Sequence, residues 1–429
     1  MPEPSTSSHD DDPVTTSPGT RKPASDGAVI AVAIAVMNIA AYVFTMVAAR
    51  ALGPQQYGAF AAVMNLLLVV SVASLAIQAT AARRVASTPG DVRVIEDGVR
   101  RVTLRAALGL GGVLVLAAPL TNAALRLDSL LTAALVGLIA VPLTVMGGQA
   151  GILQGERRWH PLALLYVAAG VPRLVLGAAL LLWQPEELAA TFGVFLGALA
   201  PVLVGWLALR ERGDVRRERS DADHGGRALT RESIRNSQAL LAFFALSNID
   251  VIVARNVLSD HESGLYAGGL ILTKAVLFLP QFVVVLAFPE MAHAGGRRRA
   301  LRLSLGLVAV LGVIGFAATY LLSDVALIFV GGSDYAEVEQ RLWLFAILGT
   351  LLSMIQLLVY ALLAQTAGRS LRVLWGALVV VAVAAATLAD SVVSLALVVI
   401  SVDLVLLVAL LVPALLRSVD DAPQPDAAP

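Results

Sequence analysis

A chain that repeats uncharged apolar runs of about 20 residues has few folds open to it, because each run can cross a ~30 Å hydrocarbon core as a helix. Such runs lie near 27–49, 58–82, 106–123, 129–154, 161–182, 188–209, 236–258, 265–290, 303–330, 340–364, 371–388 and 391–416. Backbone polar groups in lipid must be satisfied within the segment, so twelve runs predict a twelve-helix, all-α integral membrane protein. Composition agrees, with 14% charged residues against about 25% in soluble domains.

Basic residues give the direction of the helices. With a cytoplasmic N-terminus, 25 of the 31 Lys and Arg residues fall in inside segments, whereas the inverted topology would put them outside. The expectation is both termini inside, with outer loops at 50–57, 124–128, 183–187, 259–264, 331–339 and 389–390. None of these is long enough for an extracytoplasmic catalytic domain. The Arg-rich stretch 210–235 reads as a cytoplasmic linker loop between 27–209 and 236–416. Residues 1–26 and 417–429 are rich in polar residues and proline, which predicts disordered cytoplasmic tails. No basic start leads into a short apolar stretch, so the beginning does not read as a signal peptide. The chain has no cysteine, and its five histidines (His9, His160, His224, His261, His293) lie in tails or loops. Nothing here suggests a metal or a general base, and no phosphate-cradling or nucleic-acid pattern is present. The reading is a transporter rather than an enzyme, with no cofactor and no nucleic-acid partner.

One interruption of the apolar pattern returns. "ARALGPQQYGAFA", Ala49 to Ala61, is partly copied in "NIDVIVARNVLSDHESGLYAGG", Asn248 to Gly269. Ala254-Arg255 matches Ala49-Arg50, Leu258 matches Leu52, Gly264 matches Gly58 and Tyr266 matches Phe60, with one residue inserted. The offset of about 206 residues spans six helices, which predicts two six-helix lobes related by an axis along the membrane normal.

The first hairpin, with Asp250 and "SGLYAGGLILTKAVLFLPQFVVVLAFPEMA" (Ser263 to Ala292), resembles the polysaccharide-biosynthesis flippases. These are the O-antigen-type lipid-linked oligosaccharide translocases of the multidrug/oligosaccharidyl-lipid/polysaccharide exporter superfamily. The matching positions are Gly264, Tyr266, Ala267, Lys274, Phe288 and Pro289, and the resemblance runs from residue 27 to about 416. It implies a MATE-like fold in a bacterial cytoplasmic membrane and a polyprenyl-pyrophosphate-linked saccharide as substrate. Membrane lipids, pathway glycosyltransferases or a polymerase, and a coupling H⁺ or Na⁺ are the implied partners.

A charge in mid-span costs roughly 2.5–3.5 kcal/mol on insertion scales, so it faces a bundle interior or a wet cavity. Arg173 and Lys274 lie near mid-span, and Asp250 and Arg255 lie in the outer half of span seven. With Arg50 they are expected to line a cationic cavity for a pyrophosphate, where arginine offers a bidentate fork. Asn38, Gln78, Asn248 and Gln281 are the candidates for sugar hydroxyls. Two alternatives stay open for the charges: Asp250 neutralises Lys274 or Arg255, and Arg50 and Arg255 snorkel to the surface. Asp403, in span twelve, reads as helix–helix glue or a cation site. At the level of function, a drug/cation antiporter of the same fold is an alternative, as is a non-transporting scaffold of an envelope-synthesis complex. Prolines 142, 172, 201, 280, 289 and 413 are expected to bend their helices. The glycines at 147, 151 and 155, and at 193 and 197, are expected at close helix contacts.

Overall fold

The computed structural model describes residues 23–87, 92–210, 223–277, 297–363 and 368–416, and among them every regular element is helical. The first, α1 (Pro23–Ser87), is two arms joined at Gly53, whose φ of 65° and ψ of 171° break the helix. Glycine alone reaches that φ freely, and Pro54 then supplies the fixed φ that starts the second arm. The arms correspond to the first two apolar runs.

The third run is not one helix. It divides into α2 (Val92–Leu116) and α3 (Ala118–Leu125), bent by 61°. Pro119, in the first turn of α3, has no N–H for the preceding turn, so α2 cannot continue through it. After α4 (Leu130–Gly155), α5 (Trp159–Trp183) and α6 (Glu187–Arg210), α7 begins at Asp223 and runs to Val257. Residues 223–235 of the expected linker loop are therefore helical. Next, α8 (Asp260–Leu277) follows, and residues 278–290 of that run, with Gln281 and Pro289, lie outside the described residues.

The ninth run also divides, into α9 (Arg297–Leu321) and α10 (Ser323–Val330), where Leu322 leaves helical dihedrals. A 3₁₀ helix (Ser333–Arg341), α11 (Leu342–Leu363), α12 (Gly368–Leu388) and α13 (Val392–Leu416) complete the chain. The two breaks, at Ala117 and Leu322, are 205 positions apart and each is followed by an eight-residue helix. The internal repeat seen in the first hairpin thus extends to the third span of each half. Among the described residues, nine helices are long and apolar enough to cross a membrane, the two-armed α1 counting once, and ten if α2 and α3 form one span.

Small residues decide how closely these helices approach. A Cβ on Gly147 would lie 2.4 Å from the Ser74 carbonyl oxygen, on Gly151 2.6 Å from that of Gln78, and on Gly155 2.8 Å from that of Ala82. The α4 glycine stripe therefore lies directly on the second arm of α1. On the other side, α5 packs along the first arm, with Gly170 against Met37 and Gly177 against Phe44. In the second half α7 packs on α12, and α11 on α8, α9 and α13. The halves meet where α1 crosses α7 and α8. The tightest point is the repeated glycine pair: a Cβ on Gly264 would lie 1.7 Å from the Pro54 carbonyl oxygen, and one on Gly58 3.0 Å from the Gly264 nitrogen.

Candidate functional site

Two cations from opposite halves meet in the interior. Arg173 is carried by α5 one residue after Pro172, and its backbone is fixed by Gly197 of α6, where a Cβ would lie 2.5 Å from the Arg173 Cα. Its guanidinium lies over the buried Phe44 ring, 5.8 Å from the centroid, within cation–π range. Its Nε is buried, and the side chain has no hydrogen-bond or ion-pair partner among the described residues. Lys274, on α8, donates to the Oδ1 of Asn65 in the second arm of α1 and lies within electrostatic reach of Asp250 and, more weakly, of Arg173. A buried, unneutralised cation is costly. Two buried cations with one carboxylate within reach are an arrangement that an anion completes.

Asp250 acts on Lys274 through its charge but makes its hydrogen bonds elsewhere. Asp250 is 2% exposed, and its oxygens accept from the Tyr266 hydroxyl at 2.8 Å and from the Val251 N–H at 2.9 Å. Neither ion pair open to it forms among the described residues. Close by, Asp403 of α13 is 1% exposed, both its oxygens lack a partner, and its charge acts on both Asp250 and Tyr266. The second half thus contains two buried carboxylates within electrostatic reach of each other, one of them capped by Tyr266.

Arg50 and Arg255 are placed elsewhere, at one end of the bundle. Arg255 is 3% exposed; its Nε donates to the Leu125 carbonyl at 3.0 Å, its Nη2 to the Arg126 carbonyl, and its Nη1 to Asp260 and Ser263. Arg50 donates from Nη2 to the Ile328 carbonyl at 3.0 Å. Each arginine of the repeat therefore caps the short helix after the break in the other half: Arg255 on α3, Arg50 on α10. The last carbonyls of a helix have no partner within it, and a cationic side chain there also meets the negative end of the helix dipole. The same end carries three further bonds across the halves. Tyr335 donates to the Ala49 carbonyl at 3.1 Å, Arg126 to that of Asn256 at 3.0 Å, and Asn256 to that of Ala124 at 2.7 Å. We refer to this as the clasped end. Lys274 lies ~16 Å further along α8 than Ser263, at 1.5 Å per residue.

The comparisons agree with this architecture. Residues 24–295 match the family described as polysaccharide biosynthesis protein. The chain belongs to that family. No curated protein matches it. Among solved structures it is similar to an inward-facing multidrug resistance MATE family transporter of the MOP superfamily, with a TM-score of 0.67, 14% identity, and coverage of 90% of this chain and 99% of that one. It is also similar to the lipid II flippase MurJ in an inward closed conformation, with a TM-score of 0.68, 11% identity, and coverage of 90% and 87%. The eukaryotic MATE transporter AtDTX14 gives 0.64, 13%, 91% and 95%. The all-helical fold is thus that of the MATE and MurJ structures, and this polysaccharide-biosynthesis family chain is a multi-pass membrane protein.

The polar residues expected to join the cations divide in the same way. Gln78 donates to Gln154 Oε1 at 3.1 Å and to the Tyr166 hydroxyl at 2.8 Å, a network inside the first half. Asn248 donates to the Phe244 carbonyl of its own helix and leaves its buried Oδ1 without a partner. Asn38 is on the first arm of α1 and is partly buried. Gln281 lies outside the described residues. Sequence reasoning missed Asn65, 1% exposed and joined to Lys274 across the halves. Its signal was present: a lone amide in the apolar stretch "VMNLLLVV". It also missed Asp403 as the neighbour of Asp250, which no spacing between α7 and α13 announces.

Proposed function

We propose that this protein moves a lipid-linked saccharide from one leaflet to the other, with its phosphates held between Arg173 and Lys274 and its lipid tail left in the bilayer. The unpartnered Arg173 facing Lys274 across the two halves carries this reading. Each half contributes one cation, so rocking the halves about the clasped end carries the head group between them without undoing a protein ion pair. The termini and the open side are cytoplasmic in this reading, the clasped end faces outward, and 27–209 and 236–416 are the two moving lobes. Family membership supports a saccharide substrate, and the fold supports alternating access. The test is a reconstituted flipping assay with a polyprenyl-pyrophosphate disaccharide, in which a membrane-impermeant glycosidase scores the translocated pool. Transfer at the protein-free rate would overturn the proposal.

The pair Asp250 and Asp403 supplies the coupling element. Two buried carboxylates within electrostatic reach hold one H⁺ or one cation far better than none, which ties their occupancy to an ion gradient. Asp403→Asn is expected to lower gradient-driven transport about tenfold, the scale of a typical coupling energy, while leaving substrate binding intact. An undiminished response to proton and sodium gradients would remove Asp403 from this role.

A further inference from the structure

On the first half, away from the cations, α2 and α6 both lie along α4 and leave a cavity of about 690 Å³ between them. That is within the size range of small-molecule sites, roughly 300–1,000 Å³. Its two ends differ in chemistry. At the end remote from the clasp, Glu96, Asp97 and Arg100 of α2 line the mouth with Arg210 at the end of α6, whose guanidinium lies 5.0 Å from the Trp206 ring centroid. Deeper in, the walls are Leu104, Leu199 and Leu203, each exposed by between 43% and 56%. Leu199 lies ~16 Å below Arg210 along the helix, at 1.5 Å per residue, which is half of a ~30 Å hydrocarbon core. The groove therefore spans one leaflet, from an interfacial Arg–Trp pair to the midplane.

The charges at the mouth leave it open rather than closed on itself. Asp97, Arg100 and Arg210 form no ion pair with one another or with any described residue. Both signs of charge are thus held apart around one opening. Thr103, one turn below Arg100 and 4% exposed, lines the groove with its hydroxyl buried against Gly148 of α4.

We infer that this groove is a binding site for a zwitterionic aminophospholipid of the surrounding leaflet. The phosphate sits between Arg100 and Arg210, the ammonium meets Asp97 beside Glu96, and one acyl chain lies along the leucines. The site is on the back of the first half, separate from the proposed translocation path. It holds the inner ends of α2 and α6 at a fixed spacing. An anionic lipid would satisfy the arginines but would place no cation at Asp97.

The test is native mass spectrometry of the full chain, delipidated in detergent and offered equimolar phosphatidylethanolamine, phosphatidylcholine and phosphatidylglycerol. Phosphatidylethanolamine is expected to be retained in preference. Arg100→Gln and Arg210→Gln are each expected to weaken retention about fivefold, the weight one basic side chain carries at a phospholipid surface. Asp97→Asn is expected to abolish the preference over phosphatidylglycerol while binding persists. Leu203→Trp, which fills the groove without touching the charges, is expected to lower retention of all three lipids. Equal retention of the three by the wild type, or Arg210→Gln and Leu203→Trp variants that elute as single species and bind as the wild type does, would overturn the site.

Discussion

Gly264→Ala is expected to destabilise the protein more than a methyl added at any other described glycine. Its Cβ would sit 1.7 Å from the Pro54 carbonyl oxygen and 2.3 Å from the Pro54 carbonyl carbon, and both are backbone atoms at the start of a helix arm. No rotamer change relieves that overlap, so α8 and α1 must separate. Overpacking in a close-packed interior costs about 1–3 kcal/mol and sometimes more, and a backbone clash belongs at the top of that range. Two controls give the expectation its sharpness. Gly58→Ala meets Gly264 and Ser263 at 3.0–3.1 Å, a contact relieved by a few tenths of an ångström. Gly98→Ala meets nothing within 4 Å, and helix propensity favours alanine there by about 1 kcal/mol. Unfolding midpoints in detergent should therefore rank Gly98→Ala at or above wild type, Gly58→Ala slightly below and Gly264→Ala far below. A Gly264→Ala midpoint equal to that of Gly58→Ala would show that the crossing is looser than drawn.

That crossing bears on transport because it lies beside the clasp. Arg50 and Arg255 reach over it in opposite directions to cap α10 and α3. Their carbonyl partners are helix-terminal groups that water satisfies equally well once the halves part. The clasp therefore loses hydrogen bonds to water without stranding a buried charge pair, except at Arg255, whose Asp260 partner is on its own side of the interface. An interface of that kind opens at modest cost. An ion pair across the halves would hold it shut more firmly.

Much of this was legible in the sequence, for identifiable reasons. Apolar runs announce membrane helices because lipid leaves the backbone no other solution, and Gly58 and Gly264 announce the repeat because both lie at the crossing of the halves, where Gly264 leaves no room for a side chain. The breaks at Ala117 and Leu322 were not legible. Pro119 lies in an apolar run where proline is commonly tolerated, and no proline marks Leu322. The fate of Arg255 was hidden for a different reason: its acceptors are main-chain carbonyls about 130 residues earlier, and a carbonyl leaves no trace in residue identity. Arg50 and Arg255 looked like cavity residues because they are cations near apolar spans, a property that helix caps share. Arg173 and Lys274 stood out because a charge in mid-span has few structural excuses, and both lie in the interior.

Arg173→Met is expected to abolish translocation while raising, rather than lowering, the unfolding midpoint. The side chain has one protein contact for its charge, the face of Phe44, worth about 0.5–2 kcal/mol. Against that stands the desolvation of an unpaired ion, several kcal/mol even after relaxation. Methionine keeps the bulk beside Phe44 and Gly197 and leaves no partner orphaned, so the balance favours the variant. Function moves the other way. A charge-assisted hydrogen bond contributes about 1.5–3 kcal/mol, and a guanidinium gives a phosphate two, so transport should fall by about 100-fold or more. Arg173→Lys keeps the charge but loses the fork and should recover only part of the rate. Lys274→Met makes the contrast, because it strands the Asn65 amide oxygen, 1% exposed, and should lose stability along with activity. A structural arginine behaves differently: its removal lowers the midpoint, and transport follows protein level. An Arg173→Met variant that unfolds earlier than wild type and still exports normally would mean that the unneutralised charge serves the fold and not an anion.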